Sequence, residues 1–157
     1  MKISLTIITI FVSLITIKAQ EISDEQYMDA YLVISDTSKD YYILKEKMFL
    51  LSKSLDFEID TMGREFNVNK NLICLPDNDE DELYAGNYFP RRYPSETLSL
   101  EYLDYYLNEQ NPLSGLIALV VIITDEKENA ELKLEQIKKY SEKAFILNTK
   151  LYMGCMH

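Results

Sequence analysis

Apolar and polar positions along this chain switch between two periods, and the switches mark out its elements. Residues 30–36, AYLVISD, form an apolar run rich in β-branched side chains, the pattern of a buried strand. A 3.6-residue period follows from about Ser38 to Ser54. It places Tyr41, Leu44, Met48, Leu51 and Leu55 on one helical stripe and leaves Lys45, Glu46, Lys47 and Lys53 to water. FEIDTM, residues 57–62, alternates as a half-buried strand does. The same order returns later in the chain. LIALVVIIT (116–124) is a nearly continuous apolar strand, expected to be central and covered on both faces. Asp125 then caps a helix, with Glu128 completing a capping box, and Ala130, Leu134, Ile137 and Tyr140 supply the buried stripe. AFILNTKLYM (144–153) is the closing strand.

The two halves keep step: Asp36 to Phe57 is 21 residues, and Asp125 to Phe145 is 20. Two βαβ halves of matched spacing predict an α+β fold, a ferredoxin-like sheet with two helices on one face. Between the halves, at about residues 63–113, lies a long acidic, tyrosine-rich insert. It holds PDNDEDEL, in which five of the six residues from Asp77 to Glu82 are acidic. Six of the twelve tyrosines fall between Tyr84 and Tyr106. Leu98, Leu100 and Tyr102 alternate and predict a short strand, although Tyr102, Tyr105 and Tyr106 also fit one helix face. A segment of this length inside a compact domain is usually functional or partly ordered by elements of its own. Its candidate ligand contacts are Tyr84, Tyr88, Arg91, Arg92, Tyr93 and Tyr102, because arginine and tyrosine are favoured interface anchors. Pro90 and Pro94 limit the entropy lost there on binding. A structural role for the arginines, pairing with the acidic run to pin the loop, is the equal alternative.

The N-terminus changes where such a domain is expected to work. Lys2 precedes an apolar stretch from Ile3 to Ile17, and Ala19 is a small residue suited to cleavage, the pattern of a secretory signal peptide over residues 1–19. The stretch falls short of the roughly 20 apolar residues of a spanning helix. The remaining residues, 20–157, make one domain, exported to the periplasm or beyond. Cleavage removes Lys2 and Lys18 and no acid, taking the net charge from −10 to −12. Nucleic acid and anionic membrane surfaces are therefore poor partners, and no stable membrane insertion is expected after cleavage.

Familiar catalytic patterns are sparse. The single histidine, His157, is the last residue, two positions from Cys155. Two cysteines in an exported chain predict a disulfide between Cys74 and Cys155, in preference to a metal or nucleophilic site. Asp77, Asp79 and Asp81 resemble the start of a calcium loop, but Glu82 and Tyr88 stand where an EF-hand has glycine and glutamate. A solvated loop is the expectation, and no cofactor is implied. Glu96, Glu101 and Asp104 lie among tyrosines and would be the carboxylates of a small hydrolase.

The second half, VVIITDEKENAELKLEQIKKY followed by AFILNTKLY, resembles the SPOR domain, a bacterial module that binds peptidoglycan. Glu128, Asn129 and Ala130 match the family's "ENA" helix start, while the first half shares only the layout. Val120 and Ile122 stand where that family has a glutamine and a glycine. The whole chain, with its YMGCMH ending, also resembles small exported bacterial proteins without an assigned activity. The SPOR resemblance implies a non-catalytic envelope binding module for peptidoglycan or another glycan. The charge gives an alternative, an acidic partner of another protein, such as an immunity protein against a basic toxin. A small envelope hydrolase is the third class. The mass of the exported protein is expected to correspond to a chain beginning at Gln20, with both thiols alkylated only after reduction. A mass that retains residues 1–19, or alkylation without reductant, contradicts the respective expectation.

Overall fold

A computed structural model of the chain describes residues 26–107 and 115–154. The signal-like segment, Cys155 and His157 lie outside them. The elements in order are β1 (Tyr27–Ser38), α1 (Tyr41–Leu55), β2 (Glu65–Asn67), β3 (Leu72–Cys74), β4 (Ser99–Tyr102), a 3₁₀ turn (Leu103–Tyr106), β5 (Ile117–Thr124), α2 (Lys127–Lys138) and β6 (Phe145–Tyr152). The fold is α+β. Four strands form an antiparallel sheet in the order β4-β5-β1-β6, and β2 and β3 form a separate antiparallel pair.

All eight residues of β5 are buried, as a central strand packed on both faces demands. One apolar cluster combines Leu44, Met48 and Leu51 of α1 with Ala130 and Ile137 of α2, against Val33, Leu119 and Val121. A second contains Leu32 and Ile34 with Val120, closed over by Leu103 and Tyr106 of the 3₁₀ turn. Two register shifts disturb the β1–β5 ladder. Ile34 pairs with Val120 and Asp36 with Leu119, so Val121 and Ser35 are skipped in turn. The first skip allows the consecutive Val121 and Ile122 to enter the same cluster, which strict alternation forbids.

Local chemistry sets the helix ends. The Asp40 side chain accepts from the backbone N–H groups of Tyr42 (2.9 Å) and Ile43 (3.3 Å), satisfying two orphan donors of α1. The helix stops at Asp56, which turns left-handed at φ 57° and donates its N–H to Ser52. At α2 the expected Asp125 capping box is replaced. Glu126 is the N-cap without a side-chain cap bond, and its own N–H is held by Thr124 Oγ1 at 3.1 Å.

Two further differences concern packing. FEIDTM is not a sheet strand: Ile59 makes one isolated parallel bridge to Leu98, and Glu58 and Asp60 bond the Leu98 backbone. The strand that follows α1 in the sheet is instead β4, from within the expected insert. On α2 the stripe ends at Ile137, because Tyr140 lies past the helix and is 53% exposed. Among the described residues no helix is long and apolar enough to cross a membrane.

Removing the α1 cap isolates a local term. Asp40→Ala is expected to lower the unfolding free energy by about 1 kcal/mol in urea titrations. An unchanged midpoint contradicts the capping role.

Candidate functional site

The insert is organised around one carboxylate. Leu98, Leu100 and Tyr102 pack into the cluster that holds both helices, so the alternation of β4 turns Glu101 to the opposite face. It is fully buried there. Met62 (φ 53°) and Gly63 (φ 74°) form a left-handed turn that delivers Arg64 to it. The guanidinium and carboxylate meet side by side, Nη2 to Oε1 at 2.6 Å and Nη1 to Oε2 at 2.9 Å. Glu101 Oε2 also accepts from the Tyr88 hydroxyl (2.8 Å) and the Arg91 backbone N–H (3.2 Å).

Arg64 is equally committed. Its Nε donates to the Thr61 carbonyl at 3.0 Å and its Nη1 to that of Phe89 at 2.5 Å. The Tyr88 and Phe89 rings lie 5.1 Å and 5.5 Å from the guanidinium carbon. Burial alone raises the pKa of Glu101. The Arg64 hydrogen bonds and charge overcome that effect and hold the carboxyl below the usual carboxylate range. Burial likewise disfavours the Arg64 cation, and Glu101 more than reverses it, raising its pKa.

The sequence candidates fall into two groups. Tyr88, Arg91 and Tyr102 belong to the interior network. The Tyr88 hydroxyl accepts from the Tyr102 N–H at 3.1 Å, and the Tyr102 hydroxyl accepts from the Ile73 N–H at 3.0 Å, tying β3 to β4. Burial pushes the Tyr88 hydroxyl well above its ordinary pKa. Arg91 is 2% exposed; its Nη1 donates to the carbonyl and hydroxyl of Thr97, both at 2.5 Å. Its Nε and Nη2 have no hydrogen-bond partner among the described residues. Tyr106 donates its hydroxyl to the Arg91 carbonyl at 2.7 Å and accepts from Thr149 Oγ1 of β6 through its own carbonyl at 2.5 Å.

The other candidates reach the surface. Arg92 donates from Nη1 to the Tyr152 carbonyl at 2.8 Å, and its guanidinium lies 5.7 Å from the Tyr152 ring. That ring meets Tyr27 edge-on at 5.4 Å, the two being directly opposed across β1 and β6. Tyr93, the next residue, is 62% exposed. Tyr84 is half-buried, with its ring 5.0 Å from Phe89.

The acidic run is used locally. Asp77 pairs with Lys70, while Asp79 and Asp81 accept from the backbone N–H groups of Asp81 (3.0 Å) and Leu83 (3.1 Å). Among the described residues no three histidine, cysteine, aspartate or glutamate side chains converge as a metal site. Of the hydrolase candidates, Glu96 pairs with Lys133 at 3.1 Å near the surface, and Asp104 is buried. Cys74 is buried and forms no disulfide among the described residues. It follows Ile73, which is bonded to edge strand β4, whereas β6 forms the opposite edge of the sheet. The expected partner, Cys155, is outside the described residues.

Arg64, Phe89 and Thr97 carry the network and were not singled out by the sequence pattern. Glu101 sits at the polar position of the Leu98, Leu100, Tyr102 alternation, so the pattern assigns it to water and gives no sign of its buried partner. Comparisons with protein-family models, curated proteins and solved structures find no significant match to this chain.

Glu101→Gln leaves a buried guanidinium without its counter-charge. It is expected to cost about 3–5 kcal/mol of unfolding free energy, whereas a loss below 1 kcal/mol contradicts the hub. Because the folded carboxyl lies below its unfolded value of 4.5, its stabilisation is complete above that value and lost as the pH falls through the folded pKa. Glu101→Gln should flatten this part of the acid-stability curve. A curve of unchanged slope assigns the acid sensitivity elsewhere.

Proposed function

We propose that this protein is an exported, non-catalytic binding module of the cell envelope, on a ferredoxin-like, SPOR-like arrangement. The order β4-β5-β1-β6 supports that reading. α1 lies in the connection from β1 to β4, and α2 in the connection from β5 to β6. Each connection passes over one intervening antiparallel strand, and both helices share one apolar cluster. The acidic, tyrosine-rich insert then supplies both the edge strand and a cover for the second cluster.

One observation carries the binding reading. Arg92, Tyr152 and Tyr27, from three separate segments, hold each other in place at one end of the sheet, beside the exposed Tyr93. Aromatic faces with a fixed guanidinium offer stacking and hydrogen-bond donors at little entropic cost. A glycan such as peptidoglycan, or an envelope protein, fits this chemistry. The catalytic alternative is weakened by the commitment of Glu101 to Arg64 and of Glu96 to Lys133.

Purified peptidoglycan is expected to co-sediment the wild-type protein. Arg92→Ala and Tyr93→Ala should each weaken binding about tenfold, the scale of an interface anchor worth 1–2 kcal/mol. Wild-type protein remaining in the supernatant removes the glycan reading. The net charge, −10 for the whole chain and −12 once Lys2 and Lys18 are removed with the signal-like segment, supports a second reading, an acidic partner of a basic protein such as a toxin. Its signature is an association rate that falls steeply with salt, where glycan stacking stays nearly constant.

A further inference from the structure

Among the described residues, the buried side-chain polar atoms without a hydrogen-bond partner are Arg91 Nε, Arg91 Nη2 and Ser99 Oγ. They gather on one face of β4. The Arg91 backbone N–H bonds Glu101 and its guanidinium bonds Thr97, so the side chain runs back along the strand. Ser99 falls between those two points, on the same face as Glu101. Its hydroxyl lies near the Glu101 carboxylate without meeting hydrogen-bond geometry. Arg91 is 2% exposed and Ser99 is fully buried.

The two guanidinium atoms form one edge of a planar group, and their N–H bonds run side by side toward a single acceptor. Nη1, off that edge, already donates to Thr97. Charge is as incomplete as hydrogen bonding. Glu101 is closed on Arg64 and accepts only the backbone N–H of Arg91. Asp60 attracts Arg91 through space, but it is half-buried and its Oδ1 accepts from the Met62 N–H at 2.8 Å. Burial therefore prevails at Arg91 and disfavours its cation, the reverse of Arg64. A guanidinium stays protonated even so, and a buried charge without a counter-charge is strongly destabilising. Water at this edge satisfies the hydrogen bonds and leaves the charge. A small anion satisfies both.

We propose that the Nε–Nη2 edge of Arg91, with the Ser99 hydroxyl, binds an inorganic anion of halide size, enclosed beneath segment 91–97. The ion ties that segment to β4, and the segment carries Arg92 and Tyr93. The site needs no ligand at the Arg92–Tyr93 surface, so its failure leaves the binding reading intact.

Thermal unfolding of the mature chain at constant sodium concentration tests it, with chloride replaced stepwise by gluconate, which is too large to be enclosed. Once chloride exceeds its dissociation constant, each further tenfold rise should raise Tm by about 3–6 °C. Bromide should act like chloride. Arg91→Met, which keeps an unbranched stem and removes the edge, should show no such rise. Ser99→Ala leaves every hydrogen bond named above in place, and it carries the comparison if Arg91→Met does not fold. It should need about tenfold more chloride for the same gain in Tm. Crystals soaked in bromide should show an anomalous peak bridging Arg91 Nε and Nη2. A wild-type Tm indifferent to chloride assigns the edge to water and overturns the proposal. So does a chloride response equal in wild type and both variants. Bromide peaks at other positions alone would mean an adventitious ion only, and would overturn it as well.

Discussion

The side-by-side pair of Arg64 and Glu101 is the constraint on which the middle of this protein depends. Neither charge has access to water, so each is tolerable only because the other is present and the remaining valences are filled. Filling them recruits the surrounding chain. Thr61 and Phe89 give carbonyls, Tyr88 gives a hydroxyl and Arg91 gives an N–H. Two segments, 61–64 and 88–91, thereby converge on one strand. Apolar burial can hold a loop against a sheet, but it does not fix the loop's register. A guanidinium fork with a matching carboxylate does.

The consequence reaches both edges of the sheet. Through Tyr88 and Tyr102 the pair connects to Ile73 on the small β2–β3 hairpin. Through Arg91 and Tyr106 it connects to Thr149 on β6. Arg92, one residue beyond the buried Arg91, is carried to the Tyr152 ring by the same anchoring. The surface cluster proposed as the ligand contact therefore inherits its position from an interior ion pair. Neighbouring arginines in one sequence motif do opposite work, one inside and one at the surface.

The long elements β1, α1, β5, α2 and β6 were legible in the sequence because their patterns are local, whereas the three-residue strands β2 and β3 carry too short a pattern to read. The continuous apolar run of β5 announced a strand covered on both faces, and the stripe of Leu44, Met48 and Leu51 announced α1. The edge strand was harder to place. Leu98, Leu100 and Tyr102 indicated a strand, but FEIDTM alternates just as well, and only tertiary pairing decides which one joins β5. The matched spacing of the two halves favoured the wrong member of that pair. The role of Glu101 was hidden for a related reason. Its partner lies 37 residues away, behind a Met-Gly turn whose left-handed geometry has only a weak sequence signature.

The account stands or falls on whether the Arg64–Glu101 pair holds these segments together as a unit. Amide hydrogen exchange on Glu101→Gln under native conditions reads this residue by residue. The account predicts selective loss of protection at the amides of Ile73, Arg91 and Tyr102, which depend on the network, while Leu119 to Val121 in β5 keep theirs up to the variant's reduced global stability. Protection lost evenly across sheet and insert, or retained at all three amides, would contradict it.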